Sequence, residues 1–534
     1  MAWRAAQRGF LILLGAGVLL APAMLWGRPF VFYDTPAYWG WGRDLVEALA
    51  HPWPHAGQPW IPGRPLHGWE IGAHGASAGD LRFTLTLLTA RSAFYAVPVY
   101  LLTSAGGLWL IAVAQALAVA WLLSVAVQAL VPKIADRAYL GVVVALTALS
   151  ALGFETANIM PDVFGGIAIL AAAVLITQSH AIDPRTRFAL GGLALYAALA
   201  HTANGLDLAA AAVIGLLLYS RDGLSKAAAR VAPVVAVLGL SLVIGWGGQA
   251  AMAAAFGRAP VAAPFLASRM LADGAGQAYL RQACPHARLA SCDLAAVKAD
   301  YPEYYVGLYP LAPPPPATAG AAAYDQLQYR VVTDAEADHR ERFVAEQPRL
   351  VVGAIMVGGP QELATRLAAG AAESFNFGFG HDFDSLRGLL AEHTQRGRQT
   401  VQITPGAADC ASGGHAPACG ELTLGLLGSV QTTLAWLGLA VVVGALLRKR
   451  GAHEDKLGRF GGLILASVFA NALLCGGIVG DYGRYQLRVE WLLAFAAMLQ
   501  VLDWAHRRRE ASQAATLPSQ VASIVAEASI GAAP

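Results

Sequence analysis

Ten apolar runs broken by short basic clusters constrain this chain more than any other feature. They fall at 9–26, 108–131, 139–152, 163–176, 188–200, 208–219, 231–256, 422–447, 460–479 and 489–502. Continuous blocks of this kind are the pattern of membrane helices, and the strict alternation of an outer-membrane barrel is missing. Only 13% of the 534 residues are charged, against about a quarter in an ordinary soluble protein. The expected fold is an all-α polytopic membrane protein with about ten transmembrane helices.

Several runs fall short of the ~20 residues needed to cross a bilayer, and the basic residues resolve the difficulty. Arg4/Arg8, Lys133/Arg137, Arg185/Arg187, Arg221/Lys226/Arg230, Arg448/Lys449/Arg450/Lys456/Arg459 and Arg507/Arg508/Arg509 form separate clusters. The positive-inside rule places each on the cytoplasmic side. Between two such clusters the chain crosses an even number of times. That makes hairpins of 137–185, turning at 155–162, of 187–221, turning at 201–205, and of 459–507, turning at 480–485. Short spans also imply tilt, or turns sunk beneath the headgroups with their polar residues in a protein-lined cavity.

The resulting layout is an N-terminal membrane module, 1–257, with seven spans and a first external loop at 27–106. A large periplasmic loop follows at 258–421, then C-terminal membrane helices at 422–504. The cytoplasmic tail, 505–534, is rich in Ala, Ser and Gln and is expected to be disordered. Both termini are then cytoplasmic, in a bacterial inner (plasma) membrane. The first run reads as a retained span; a cleaved signal peptide is the alternative, with a weak small-residue pattern at Ala21-Pro22-Ala23.

The first external loop holds Trp39, Trp41, Trp53, Trp60 and Trp69, a density suited to the membrane interface. Residues 91–102 are apolar but too short to span, and read as interfacial or re-entrant. In the large loop, Pro313 to Pro316 break helix. Residues 347–370 have apolar positions at helical spacing, either resting on the membrane or packed within a small periplasmic subdomain. Cys284 with Cys292, and Cys410 with Cys419, are close enough in sequence to form disulfides in an oxidising periplasm, or else are reduced thiols. Cys475, inside a span, reads as packing.

The polar residues that stand out share one side of the membrane. Asp34 lies among aromatic residues, where desolvation favours a general base; an N-cap before Pro36 is the plain alternative. Asp162 after Pro161, with Glu155 at the far end of the same turn, could equally cap a helix. His201 is a candidate phosphate donor or proton shuttle, or a structural histidine. Arg484 and Arg488 violate the charge rule locally and suit a ligand phosphate. Pairing with Asp481 or Glu490 is the structural alternative, and for Arg91 it is anchoring at the interface. The formal net charge of +2 comes from dispersed basic residues, which argues against nucleic-acid binding. No cofactor is certain; a divalent metal is possible, though no metal-type spacing supports one.

Taken together, these features resemble the GT-C superfamily of membrane glycosyltransferases, in particular the dolichyl-phosphate-mannose mannosyltransferase-like and aminoarabinose-transferase-like bacterial members. The resemblance rests on Asp34 with Tyr38 after the first span, on the 91–102 stretch, and on Gln115 in the second span. It also rests on Pro161-Asp162, on Arg484-Tyr485, and on a large external loop after seven spans. It covers the chain to about 256 and the final hairpin. It implies transfer of a sugar from a polyprenyl-phosphate carrier to a glycan, lipid or protein acceptor. Asp34 would be the base, with Arg91, Asp162, His201, Arg484 and Tyr485 around the donor phosphate and substrate. Two departures stand out: His201-Thr202 replaces the family's Arg-Pro, and no second acidic residue accompanies Asp34. A transporter or flippase for a lipid-linked or anionic solute is the competing reading. A noncatalytic component of envelope-polysaccharide assembly is a third.

Overall fold

The computed structural model describes residues 2–32, 34–50, 83–84, 88–89, 91–256, 261–262, 265–295, 332–375, 425–448, 454–478 and 484–530. Within them the fold is all-α apart from four two-residue strands. The N-terminal helices run α1 (Ala2–Leu19), α2 (Ala21–Trp26), α3 (Thr35–Ala50), α4 (Ala93–Leu130), α5 (Ala135–Leu149), α6 (Leu152–Ala157), α7 (Val163–Gln178), α8 (Pro184–Ala200), α9 (Thr202–Tyr219) and α10 (Leu224–Phe256). Beyond them come α11 (Phe265–Ala272), α12 (Ala275–Ala283) and α13 (Asp334–Ser374), then α14 (Gly425–Leu447), α15 (Glu454–Ile478) and α16 (Arg484–Ile530).

Among the described residues, five segments are long and apolar enough to cross a membrane: Ala93–Leu130, Thr202–Asp222, Leu224–Ala254, Gly428–Leu447 and Lys456–Ile478. Helix α7 is shorter but buried at every position. Its sequence is apolar all round, with no polar stripe to turn outward, so it sits at the centre of the bundle. Gly165 and Gly166 let α16 approach closely: a Cβ on Gly166 would stand 2.7 Å from the Trp491 ring and 2.9 Å from the Arg488 carbonyl oxygen. Small residues at helix crossings do this generally in membranes.

The two ends of the bundle differ chemically. At one end Asp222, after α9, pairs with Arg459 at the start of α15. Lys133 Nζ pairs with Glu510 on α16 at 3.0 Å. At the other end α9, α15 and α16 meet again through Asp207, Asn471 and Arg488. Beyond that end, Phe83–Thr84 (β1) pairs antiparallel with Val332–Thr333 (β4), and Leu88–Thr89 (β2) pairs parallel with Val261–Ala262 (β3). Strands from the two long loops therefore bond to each other.

Three local features bear on the expected layout, and one of them corrects it. The 91–102 stretch forms a helical arm of α4 from Ala93, set off from the rest of the helix by a kink at Gly106 and Gly107, where Gly107 has φ +72°. The first external loop opens with α3. The tail from 505 is helical as far as Ile530, in place of the expected disorder. Ala, Glu and Gln are good helix formers, so an unbroken helix propagates from the last span.

Candidate functional site

The turn between α5 and α7 is the floor on which the site is built. Residues 150–162 are all buried, although they include Glu155, Thr156, Asn158 and Asp162. Their backbone groups need partners away from water, and three other segments supply them. Phe30 N–H donates to Ala157 O at 3.1 Å, and Ile159 N–H donates to Phe30 O at 3.0 Å. Thr35 Oγ1 donates to Ile159 O at 3.0 Å. From α4, Gln115 Nε2 donates to Thr156 O and Asn158 O, both at 2.9 Å, while its Oε1 accepts from Tyr95 OH at 2.9 Å. Gln115 is thus a clamp on the sunken turn.

Asp34 is held against this floor. Arg91 Nη2 donates to its carboxylate, and the Arg91 guanidinium lies 5.7 Å from the centre of the Tyr38 ring. Asp34 is buried, whereas the Arg91 side chain retains 25% exposure, so the pair has access from outside. Close packing of α3 on α4 sets the contact: a Cβ on Gly42 would stand 2.0 Å from Ala96 O. Tyr38, Tyr95, Phe164 and Tyr196 continue inward as edge-to-face rings with centroids 5.1–6.1 Å apart. Nearby, burial pulls Arg28 down to about 10, which leaves it charged at neutral pH.

A second polar group lies behind α7. Arg488 is fully buried, and its Nη2 donates to Asn471 Oδ1 at 2.6 Å and contacts Asp207 Oδ2 at 3.4 Å and Cys475 Sγ at 3.3 Å. Gly165 makes room for it: a Cβ there would stand 3.0 Å from Arg488 Nε. Asn471 Nδ2 also donates to Tyr485 O at 2.7 Å. Asp162 stands at the start of α7, within electrostatic reach of Tyr95 on one side and Arg488 on the other. No side-chain hydrogen bond from it caps α7. Glu490 is buried, interacts electrostatically with Glu155, and neither of its carboxylate oxygens has a hydrogen-bond partner among the described residues.

Of the residues singled out in the sequence, Asp34, Arg91 and Asp162 therefore share one end of the bundle. His201 caps α9, its Nδ1 accepting from Ala203 N–H at 3.2 Å, which leaves only Nε2 for other contacts. Arg484 opens α16, but its side chain lies outside the described residues. Tyr485 lies beneath the Arg488 guanidinium, ring centre to Cζ 5.7 Å. The structural alternative for Arg484 and Arg488 was pairing with Asp481 or Glu490; the carboxylate that Arg488 contacts is Asp207. Glu490 follows by two residues, so it points from a different side of the helix, and Asp481 lies outside the described residues. Cys475 does more than pack, since its sulfur touches Arg488.

Asp207 and Asn471 are the residues missed. Each is a polar residue in or bordering an apolar run, which by itself marks a functional candidate. Cys284 and Cys292 are joined by a disulfide beside α12, away from this site. Cys410, Cys419, Pro313 to Pro316 and Trp53, Trp60 and Trp69 lie outside the described residues. No group of three or more His, Cys, Asp or Glu side chains gathers to hold a metal ion among the described residues. Compared with known protein families, characterised proteins and solved structures, the chain matches none.

Proposed function

We propose that this chain is a GT-C-type membrane glycosyltransferase that moves a sugar from a polyprenyl-phosphate carrier to an acceptor at the periplasmic face. One observation carries the reading: a buried carboxylate, Asp34, is oriented by a partly exposed arginine where four remote segments converge. In the proposed reaction an acceptor hydroxyl oxygen bonds to the sugar's anomeric carbon as the bond from that carbon to the phosphate oxygen breaks. Asp34 takes the hydroxyl proton, and the carrier departs as polyprenyl phosphate. Arg91 keeps Asp34 ionised and offsets charge developing on the leaving phosphate, with Arg484 a second candidate for that role. Tyr38 and Tyr95 wall the site from water.

A ten-span topology with both termini in the cytoplasm fits this chemistry. The Asp222–Arg459 and Lys133–Glu510 pairs gather basic clusters at the end opposite Asp34, as the positive-inside rule requires. The Cys284–Cys292 disulfide suits an oxidising compartment on the other side, as in a bacterial periplasm. The transporter reading gains from the buried Arg488–Asp207 pair, since charges set among membrane helices often line transport pathways.

Asp34→Asn separates these readings. Assayed against polyprenyl-phosphate-linked sugars in proteoliposomes, the variant keeps carrier binding and loses transfer. Undiminished product formation would remove Asp34 as the base. Solute movement by the parent chain without any sugar transfer would favour the transporter.

A further inference from the structure

Helix α13 reverses its polarity along its length. Up to Leu350 it is an ordinary amphipathic helix: Phe343 and Leu350 pack against α11 and α12, while Arg342 and Arg349 face outward. Glu346 anchors it further, accepting from Ala290 N–H at 2.7 Å and from Ser291 N–H at 3.1 Å.

From 351 to 375 the pattern is inverted. The stretch has three charged residues, Glu362, Arg366 and Glu373, and they are buried at 7%, 8% and 0% exposure. Its large apolar residues face out instead: Val352, Met356, Leu363 and Leu367 are 59%, 77%, 55% and 54% exposed. A helix in water does the opposite, because exposed apolar surface costs about 25 cal/mol per Å². The charges turned inward have protein partners. Arg366 pairs with Asp273 and with Glu362.

The helix lies directly on a membrane-crossing neighbour. A Cβ on Gly370 would stand 2.8 Å from the Leu473 Cα of α15, and one on Gly476 would stand 2.8 Å from Ala369 O. The apolar exterior is continuous across them, through Leu473 and through Phe375 stacked on Trp436 of α14 at 5.7 Å. Gly359, at φ +57°, and Pro360 bend the helix within the inverted stretch.

We infer that residues 351–375 form a re-entrant half-helix sunk among the lipid acyl chains of one leaflet, with Val352, Met356, Leu363 and Leu367 facing lipid. The bend at Gly359 and Pro360 divides the stretch into two arms; at ~1.5 Å per residue, 351–358 extend about 12 Å and 360–374 about 22 Å, each short of the ~30 Å hydrocarbon core. The segment therefore enters the bilayer without crossing it, and the parity of the spans is unchanged. Its tip carries Glu373, whose Cβ lies 3.0 Å from the Cβ position of Gly476, next to Cys475. The half-helix thus brings a carboxylate beside Cys475, whose sulfur touches Arg488.

Spin labels test the placement. Single cysteines at Met356, Leu363, Leu367, Arg342 and Arg349 are labelled one at a time in the full chain, in phosphatidylcholine vesicles, with the parent chain labelled in parallel as blank. All five side chains are exposed or replace exposed residues, so the label leaves the packing intact. Labels at 356, 363 and 367 collide with dissolved oxygen and escape a water-soluble nickel chelate, while those at 342 and 349 show the reverse. Nickel access at 363 and 367 equal to that at 342 would place the face in water and overturn the inference. Protection from both reagents would mean that protein covers it, a second copy or another chain, and would overturn it equally.

Discussion

Removing either partner of the buried Arg488–Asp207 contact tests how the interior polar group is held. Both side chains are essentially inaccessible, at 0% and 1% exposure. Truncating one partner of a buried pair costs ~3–5 kcal/mol in soluble proteins, because the other charge is left uncompensated. Polar contacts between membrane helices average only about 0.6 kcal/mol, since the unfolded chain in a membrane also finds partners. Here Asn471 Oδ1 stays bonded to Arg488 at 2.6 Å after Asp207 is lost. The cost of Asp207→Leu therefore falls between those limits, at ~2–3 kcal/mol. Arg488→Met should cost a similar amount.

The double variant removes both charges and fills the space with apolar atoms, so its loss should be far smaller than the sum. A coupling of ~2 kcal/mol, or about thirtyfold in the unfolding equilibrium, is expected. Unfolding of the full chain by sodium dodecyl sulfate in mixed micelles, followed by circular dichroism, measures all four corners of the cycle. Single costs that simply add, within ~0.5 kcal/mol, would show that the two groups do not stabilise one another and would refute the reasoning.

Gly42→Ala is expected to destabilise by ~1–3 kcal/mol through overpacking, because its Cβ would meet a backbone oxygen that cannot swing aside. The same variant should lose transfer activity out of proportion to its melting shift, as α3 and α4 part and Asp34 leaves Arg91; full activity would count against that geometry. At the basic end, the hydrogen bond from Arg459 lowers the Asp222 carboxyl below the usual carboxylate range. A depressed folded pKa means that its stabilisation is full above the unfolded value of about 3.9 and is lost as pH falls through the lower folded one. Melting temperatures of the parent and Asp222→Asn should therefore differ above pH 5 and converge in acid. The difference should shrink in high salt because the pair is exposed.

Much of this architecture is legible along the chain because the signals are local. Whether a segment enters lipid depends on the summed transfer free energy of contiguous residues, so the apolar runs mark helices wherever the structure describes them. The basic clusters mark one end of the bundle for a similarly local reason. Spans too short for the bilayer left tilt, local thinning or a sunken turn open, and the structure shows the turn at 155–162 buried in protein. Asp34, Arg91 and Asp162 were recognisable as charges near span ends, though nothing in the sequence joins Arg91 to Asp34 across fifty-seven positions.

Pairing and facing are different matters, and the tertiary structure alone decides them. Arg488 finds Asp207 from 281 residues away, while nearer acids were the reasonable guesses. Periodicity reveals that residues 347–370 carry an apolar stripe, but a stripe looks the same whether it faces a protein core or lipid. Only the packing of Gly370 and Gly476, with Glu362, Arg366 and Glu373 turned inward, distinguishes the two. The cause is physical: a helix needs a low-dielectric neighbour for its apolar face and partners for its charges, and which neighbour fills each role depends on how distant segments come together.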